Sequence, residues 1–226
     1  MLYWFQYWWL LIPAIIFGII AQSMVRNTYA KYRKIGTRGG LSGADLARTI
    51  LDAHRLHGVP VEEVGGELTD HYDPRSRTLR LSRNVARGRS VAALGIAAHE
   101  SGHAIQHSRS YAPLAIRNTV YPVASFGSKL GPLIVFAGLI FGIAEPFITV
   151  GIALFAFAVF FSVLTLPIEL NASSRALQLL SSTGVMTRDE LAGARKVLNA
   201  AAMTYVAAAL ASVLTLLRLI LLSRSR

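Results

Sequence analysis

The feature that most constrains this chain is the gathering of its apolar residues into long uncharged runs. Residues 2–21 carry no charged side chain, and such a run is long enough to cross a hydrocarbon layer of about 30 Å as a helix. Of the 226 residues, 53% are hydrophobic and only 15% are charged, whereas soluble domains carry about 25% charge. The pattern excludes a disordered chain and favours a membrane protein over a soluble one.

Several uncharged runs alternate with polar regions, so the sequence predicts about four transmembrane helices. We expect an anchor helix at 1–22, a cytoplasmic catalytic region at 23–129, a transmembrane hairpin at 130–166 with Glu145-Pro146 at its tip, cytoplasmic helices at 167–202 and a C-terminal transmembrane helix at 203–222. A cleaved signal peptide is the alternative for the first segment, although no Lys or Arg precedes it. A helix lying on the membrane surface is the alternative for the last.

The basic residues predict how the chain is oriented. Five of them follow the first apolar run closely: Arg26, Lys31, Arg33, Lys34 and Arg38. Because positive residues near the end of a span stay in the cytoplasm, we expect the N-terminus outside and residues 23–129 inside, in the cell (inner or plasma) membrane. The formal net charge of +11 then serves orientation in a lipid bilayer. It does not indicate nucleic acid, since no basic segment is interleaved with aromatic residues.

Local signals predict the elements of the polar region. Ser42 and Asp45 form a capping-box pattern that opens a helix closed by Gly58, and Ser90 precedes a second helix from Val91 to about Arg109. Between them, residues 59–82 are rich in turn residues and predict a small β-hairpin. The fold class is therefore a mainly α polytopic membrane protein, with a zincin-like cytoplasmic region containing that hairpin.

The second helix carries the pattern HExxH as His99, Glu100 and His103. Residues four apart lie on one face of a helix, so both imidazoles can bind one zinc ion. Glu100 projects beside them and can take a proton from the attacking water. The absence of cysteine from the sequence excludes thiolate ligands.

A catalytic zinc needs a third protein ligand. His107 is a poor candidate, because it lies about 12 Å along the helix from His99 with no glycine to turn the chain. The acids after residue 103 are Glu145, Glu169, Asp189 and Glu190. Glu145 is expected on the opposite side of the membrane, and the last two resemble a helix start. Glu169 remains, with Ser173 one turn further on as a hydrogen-bonding partner for the site; a plain carboxylate at a membrane boundary is the alternative for Glu169.

Longer motifs make the chain resemble the YugP-type neutral zinc metallopeptidases, which are distantly similar to HtpX-like and CAAX-prenyl peptidases. They are Gly66-Glu-Leu-Thr-Asp-His-Tyr-Asp-Pro74, Leu79-Arg-Leu-Ser82, Ser90-Val-Ala-Ala-Leu-Gly-Ile-Ala-Ala-His-Glu-Ser-Gly-His-Ala-Ile-Gln106, Leu166-Pro-Ile-Glu-Leu-Asn-Ala-Ser and Leu198-Asn-Ala-Ala-Ala-Met-Thr-Tyr-Val206. The resemblance implies His99, His103 and Glu169 as zinc ligands and Glu100 as the base. It also implies an acid at position 171 in many relatives, where this chain has the uncharged Asn171.

The expected function is a membrane-bound zinc metalloendopeptidase acting on proteins or peptides, including membrane proteins. A donor for the developing oxyanion is also needed, and the candidates are His71, Tyr72, Arg175 and Tyr205. An intramembrane protease is disfavoured, because the chain has no Asp-Gly pair and the apolar run before His99 is too short to span a bilayer. A non-catalytic scaffold or assembly factor with structural zinc is the alternative from another class.

Overall fold

The computed structural model describes residues 6–142 and 145–225, which are mainly helical. After a 3-10 turn at Trp8–Leu11, the helices are α1 (Ile12–Tyr32), α2 (Gly43–Ala53), α3 (Arg83–Ala86), α4 (Val91–Ser108), α5 (Ala112–Phe141), α6 (Glu145–Ser182) and α7 (Arg188–Arg224). The strands are β1 (Val61–Val64), β2 (His71–Asp73) and β3 (Thr78–Ser82). The first five residues of the predicted anchor and the two residues before Glu145 in the predicted hairpin lie outside the described residues.

Within the described ranges, four helical stretches are long and apolar enough to cross a membrane. They are Trp8–Tyr32, Ala112–Phe141, Glu145–Ser182 and Arg188–Arg224. The prediction of a mainly helical chain with four apolar stretches of membrane-spanning length is confirmed. Helix α5 begins well before residue 130 and contains Pro122 and Pro132, while α6 continues through Pro167 without a new start. Apolar helices tolerate such prolines where neighbouring groups satisfy the freed main-chain atoms.

The chain divides into two compact units. The first comprises Met1–Gln22, Ala115–Pro167 and Met203–Arg226. Its core consists of Val135, Leu139, Ile148, Phe155, Ala158, Leu219 and Leu222. Glycines allow α5 and α6 to approach closely, since a Cβ on Gly131 would lie 2.7 Å from the main-chain oxygen of Gly151. The polar functional groups of the sequence analysis fall largely in the second unit, Ser23–Leu114 and Ile168–Ala202.

A three-stranded sheet lies in the second unit, with strand order β1-β3-β2. Strands β2 and β3 form the antiparallel hairpin that the turn residues predict, with Tyr72 opposite Leu79. The hairpin alone was an incomplete prediction, because β1 joins β3 in parallel. The central strand has the most buried pattern, and Leu79 and Leu81 are fully buried. Because β3 lies between β1 and β2, β2 is an edge strand.

Helix α4 runs through the centre of the second unit. Ser90 caps it, its side chain accepting a hydrogen bond from the Ala93 main chain, and most of its residues are buried. One hydrophobic cluster includes Leu94, Ala98 and Ile105 with residues of α1, α2, α6 and α7, and another includes Ala97 and Ala104 with β3. A Cβ on Gly102 would lie 3.0 Å from the Ala172 main-chain oxygen, so the glycine allows α4 to approach α6.

Candidate metal centre

Helix α4 presents His99 and His103 on one face, as their spacing predicts. The two rings meet edge to face with their centroids 4.8 Å apart. Their side chains are 13% and 12% exposed, so they are largely enclosed but still within reach of solvent. A catalytic site needs such partial access, because substrate must enter it.

Helix α6 brings Glu169 to these histidines, although Glu169 lies seventy positions after His99 in the sequence. Its Oε2 lies 3.2 Å from His99 Nε2 and 3.5 Å from His103 Nε2, and its side chain is 5% exposed. The candidate ligand atoms of the three residues all lie within 4.8 Å of one another. The structure thus brings together the three residues singled out in the sequence.

Each histidine has a separate partner for its other ring nitrogen. His99 Nδ1 lies 3.1 Å from Ser173 Oγ, a contact that the i+4 spacing of Glu169 and Ser173 predicts. His103 Nδ1 lies 2.9 Å from Gln106 Oε1. When Nε2 binds a metal, Nδ1 carries the hydrogen and donates it to such an oxygen. These contacts therefore turn both Nε2 atoms toward Glu169.

The partner of His103 belongs to a buried polar network. Gln106 is fully buried, and its Nε2 donates hydrogen bonds to the Ile168 main-chain oxygen and to Asn171 Oδ1. Arg175 Nε also donates to Asn171 Oδ1, at 2.7 Å. Asn171 thus accepts hydrogen bonds without a charge of its own, and it acts on His103 through Gln106.

Glu100 faces the edge strand β2. Its Oε2 accepts a hydrogen bond from the Tyr72 main-chain nitrogen at 3.0 Å, and Glu100 as a whole is 8% exposed. Close to it, Asp70 accepts hydrogen bonds from the main chain and hydroxyl of Ser82. Burial raises the pKa of Asp70 above its usual value; the Ser82 hydrogen bonds oppose this rise and the Glu100 charge adds to it. The base side of the site is therefore acidic and favours a cation nearby.

The donor set fits zinc. Two imidazoles and one carboxylate, with a fourth position left for substrate or water, are the ligands of catalytic zinc sites. Burial disfavours a charge on His103, but its hydrogen bond to Glu169 and the nearby Glu100 charge outweigh burial and raise the His103 pKa. The cluster thus stabilises positive charge at the point where the three donors meet.

The remaining sequence candidates have other surroundings. His107 Nδ1 lies 2.9 Å from the Tyr72 hydroxyl. Glu145 begins α6, while Glu190 forms a capping box with Thr187 at the start of α7. His71 contacts the Thr69 main-chain oxygen through Nδ1.

Two contacts were missed in the sequence analysis. Gln106 lies three positions after His103, a spacing at which helical side chains meet, so a search for amide or carboxylate residues there could have found it. No comparable sequence pattern indicates the hydrogen bond from the Tyr72 main-chain nitrogen to Glu100. A hydrogen bond from an edge strand to Glu100 depends on how the sheet packs against α4.

Comparisons with known proteins identify a family and a relative of this chain. The profile of a family described as "Putative neutral zinc metallopeptidase" matches residues 7–224. The chain is 47% identical over 213 residues to "Putative membrane protease YugP" of Bacillus subtilis (strain 168), an alignment that covers 94% of each chain. No solved structure matches the chain.

Proposed function

This chain belongs to the neutral zinc metallopeptidase family, and on that premise we propose that it hydrolyses peptide bonds in protein or peptide substrates. The cofactor of the family is zinc, and the donor set described above fits that ion. The observation that carries the proposal is the position of Glu100. It is a buried carboxylate next to the three converging donors, and its hydrogen bond comes from a different element, β2.

His99, His103 and Glu169 are the proposed ligands. Ser173 and Gln106 accept hydrogen bonds from the two imidazoles and fix the direction of each Nε2. A closed structural site would use four protein ligands, commonly cysteine and histidine. Three ligands that include a carboxylate favour an open, catalytic site, and this difference supports a peptidase over a scaffold.

Glu100 is the proposed general base. His99, His103 and Glu169 would hold the zinc, which would polarise the peptide carbonyl and acidify the attacking water. Glu100 takes a proton from that water while the oxygen of the water attacks the carbonyl carbon. Glu100 then gives the proton to the departing amine nitrogen as the C–N bond breaks. The Tyr72 main-chain nitrogen orients the carboxylate by its hydrogen bond to Oε2.

We further propose that the site faces the cytoplasm and that membrane proteins are among the substrates. The basic residues that follow the first span support this orientation. In α6, residues 146–168 are uncharged and would extend about 34 Å as a helix. Glu169 follows that stretch directly, so the proposed site lies close to the end of a membrane-crossing segment.

Purified Glu100→Gln tests the chemistry. We expect the variant to retain zinc, measured by metal analysis, and to cleave labelled β-casein at least about 100-fold more slowly than the wild type, because general base catalysis contributes about 100- to 10,000-fold. Glu62→Gln is the matched control, since Glu62 pairs with Arg80 on the sheet surface. Equal casein cleavage by Glu100→Gln and wild type would contradict the proposal, and a zinc-loaded wild type that cleaves no protein would favour the scaffold.

A further inference from the structure

The side chain of Tyr72 packs against the hydrophobic cluster that includes Ala97 and Ala104, and its hydroxyl has no assigned role. Its main chain donates to Glu100 and its hydroxyl contacts His107, seven positions further along α4. At about 100° per residue, Glu100 and His107 are about 20° apart around the helix, and they are about 10 Å apart along it. Tyr72 thus contacts α4 at two positions, Glu100 and His107, on the same face of the helix. The helical turn that contains His103 lies between these two positions.

The hydroxyl is available as a hydrogen-bond donor in one tautomer of His107. Side chains on a helix tilt toward its N-terminus, so His107 leans back toward the His103 turn. With its hydrogen on Nδ1, His107 donates to the Tyr72 oxygen at 2.9 Å, and the phenolic hydrogen stays available for a third group. Burial also raises the pKa of Tyr72 above its usual value, so the hydroxyl keeps its hydrogen at neutral pH.

A peptide substrate would supply this third group. The water that Glu100 deprotonates attacks the carbonyl carbon, so the scissile peptide must lie next to Glu100. We propose that the Tyr72 hydroxyl, held by His107, donates a hydrogen bond to the scissile carbonyl oxygen as negative charge develops on it. This inference rests on the proposed peptidase function. No bond to Tyr72 forms or breaks, and the proton of the water goes to Glu100.

Two other candidates for this donor have different partners. Arg175 donates through Nε to Asn171, and His71 contacts the Thr69 main chain on the exposed surface. Tyr72 combines a main-chain bond to the base with a hydroxyl on the same face of α4. An oxyanion donor needs this combination, because it must be fixed before charge develops.

Tyr72→Phe isolates the hydroxyl, because the main-chain bond to Glu100 remains. We expect kcat on labelled β-casein to fall about 100-fold, the usual effect of removing one oxyanion donor, with KM and zinc content unchanged. A phosphinic analogue of the β-casein sequence that the wild type cleaves mimics the tetrahedral oxyanion. Its inhibition constant should rise by a similar factor. Tyr111→Phe is the control, since Tyr111 forms main-chain hydrogen bonds beyond the end of α4.

His107 provides a second, independent arm if Tyr72→Phe fails to fold. His107→Leu should lower kcat about tenfold, and His107→Asn should restore part of it, because the amide can donate in place of Nδ1. In the double variant, His107→Leu should add nothing to Tyr72→Phe, since both remove one coupled interaction. The exposed His57, paired with Asp52, supplies the control His57→Gln.

The outcomes separate the two proposals. Full kcat or an unchanged inhibition constant in Tyr72→Phe, beside an active wild type, would overturn the role of Tyr72 and leave the peptidase proposal standing. A loss of activity that matches a loss of zinc in folded Tyr72→Phe would also overturn it, since that is a structural effect. A zinc-loaded wild type without peptidase activity would overturn the proposed function itself.

Discussion

Helix α6 takes part in two regions that use the same secondary structure differently. Its N-terminal part, in the first unit, packs against α5 through Gly151 and exposes large apolar side chains such as Phe157 and Phe160. Its C-terminal part, in the second unit, buries the polar side chains of Glu169 and Ser173. Both parts pack through apolar contacts, and only the C-terminal part adds buried polar atoms that have hydrogen-bond partners.

The difference shows which substitutions each region can bear. In the first, glycine removes the side-chain volume between two backbones, so added volume is costly while polarity plays little part. In the second, a buried polar atom without a partner costs about 1–3 kcal/mol, so the chemistry of each residue matters more than its volume. Changes at the two parts of α6 should therefore separate metal binding from helix packing.

The largest effect is expected from Glu169→Ala. The variant loses the only carboxylate of the converging donor group, so metal analysis of the purified protein should find zinc below stoichiometric amounts, and peptidase activity should be lost. Glu145→Gln, at the other end of the same helix, should keep both. Undiminished zinc in Glu169→Ala would contradict the comparison, because the C-terminal part of α6 would then not bind the metal.

Gly127→Ala should produce a smaller effect, on the stability of the first unit. The added Cβ would clash with the main-chain oxygen of Leu154, and overpacking of this kind costs about 1–3 kcal/mol. A lower Tm in detergent with unchanged zinc per folded protein is the expected result. Gly18→Ala is the matched control, since a Cβ there has no neighbour within 4 Å; equal effects of the two variants would argue against close packing of α5 and α6.

The smallest effect is expected from Gln106→Leu, which removes the acceptor for His103 Nδ1 and the donor to Asn171. Residues that orient metal-binding histidines typically contribute 10- to 100-fold in affinity, and we expect a weakening of about tenfold in a zinc competition titration. The exposed Gln178 on α6 provides the control Gln178→Leu. Unaltered zinc affinity in Gln106→Leu would mean that His103 is oriented without this network.

Much of the local structure was predictable because its signals are local. Ser42 with Asp45, and Thr187 with Glu190, form the capping boxes that their spacing predicts, and α4 runs from Val91 as Ser90 indicates. Helix α2 instead ends at Ala53, before the glycine expected to close it. The parallel pairing of β1 was not predictable, since it depends on a partner strand far along the chain.

The sequence by itself determined the class of molecule and the ligand pattern. Long uncharged runs require helices in a membrane, because main-chain groups must be satisfied internally there, and the spacing of His99 and His103 places them on one helical face. Only the tertiary structure decided which groups meet them. The Oε2 atom of Glu169 and the Tyr72–His107 pair are brought to the site by packing between elements distant in sequence, and the local spacing of residues does not predict such contacts.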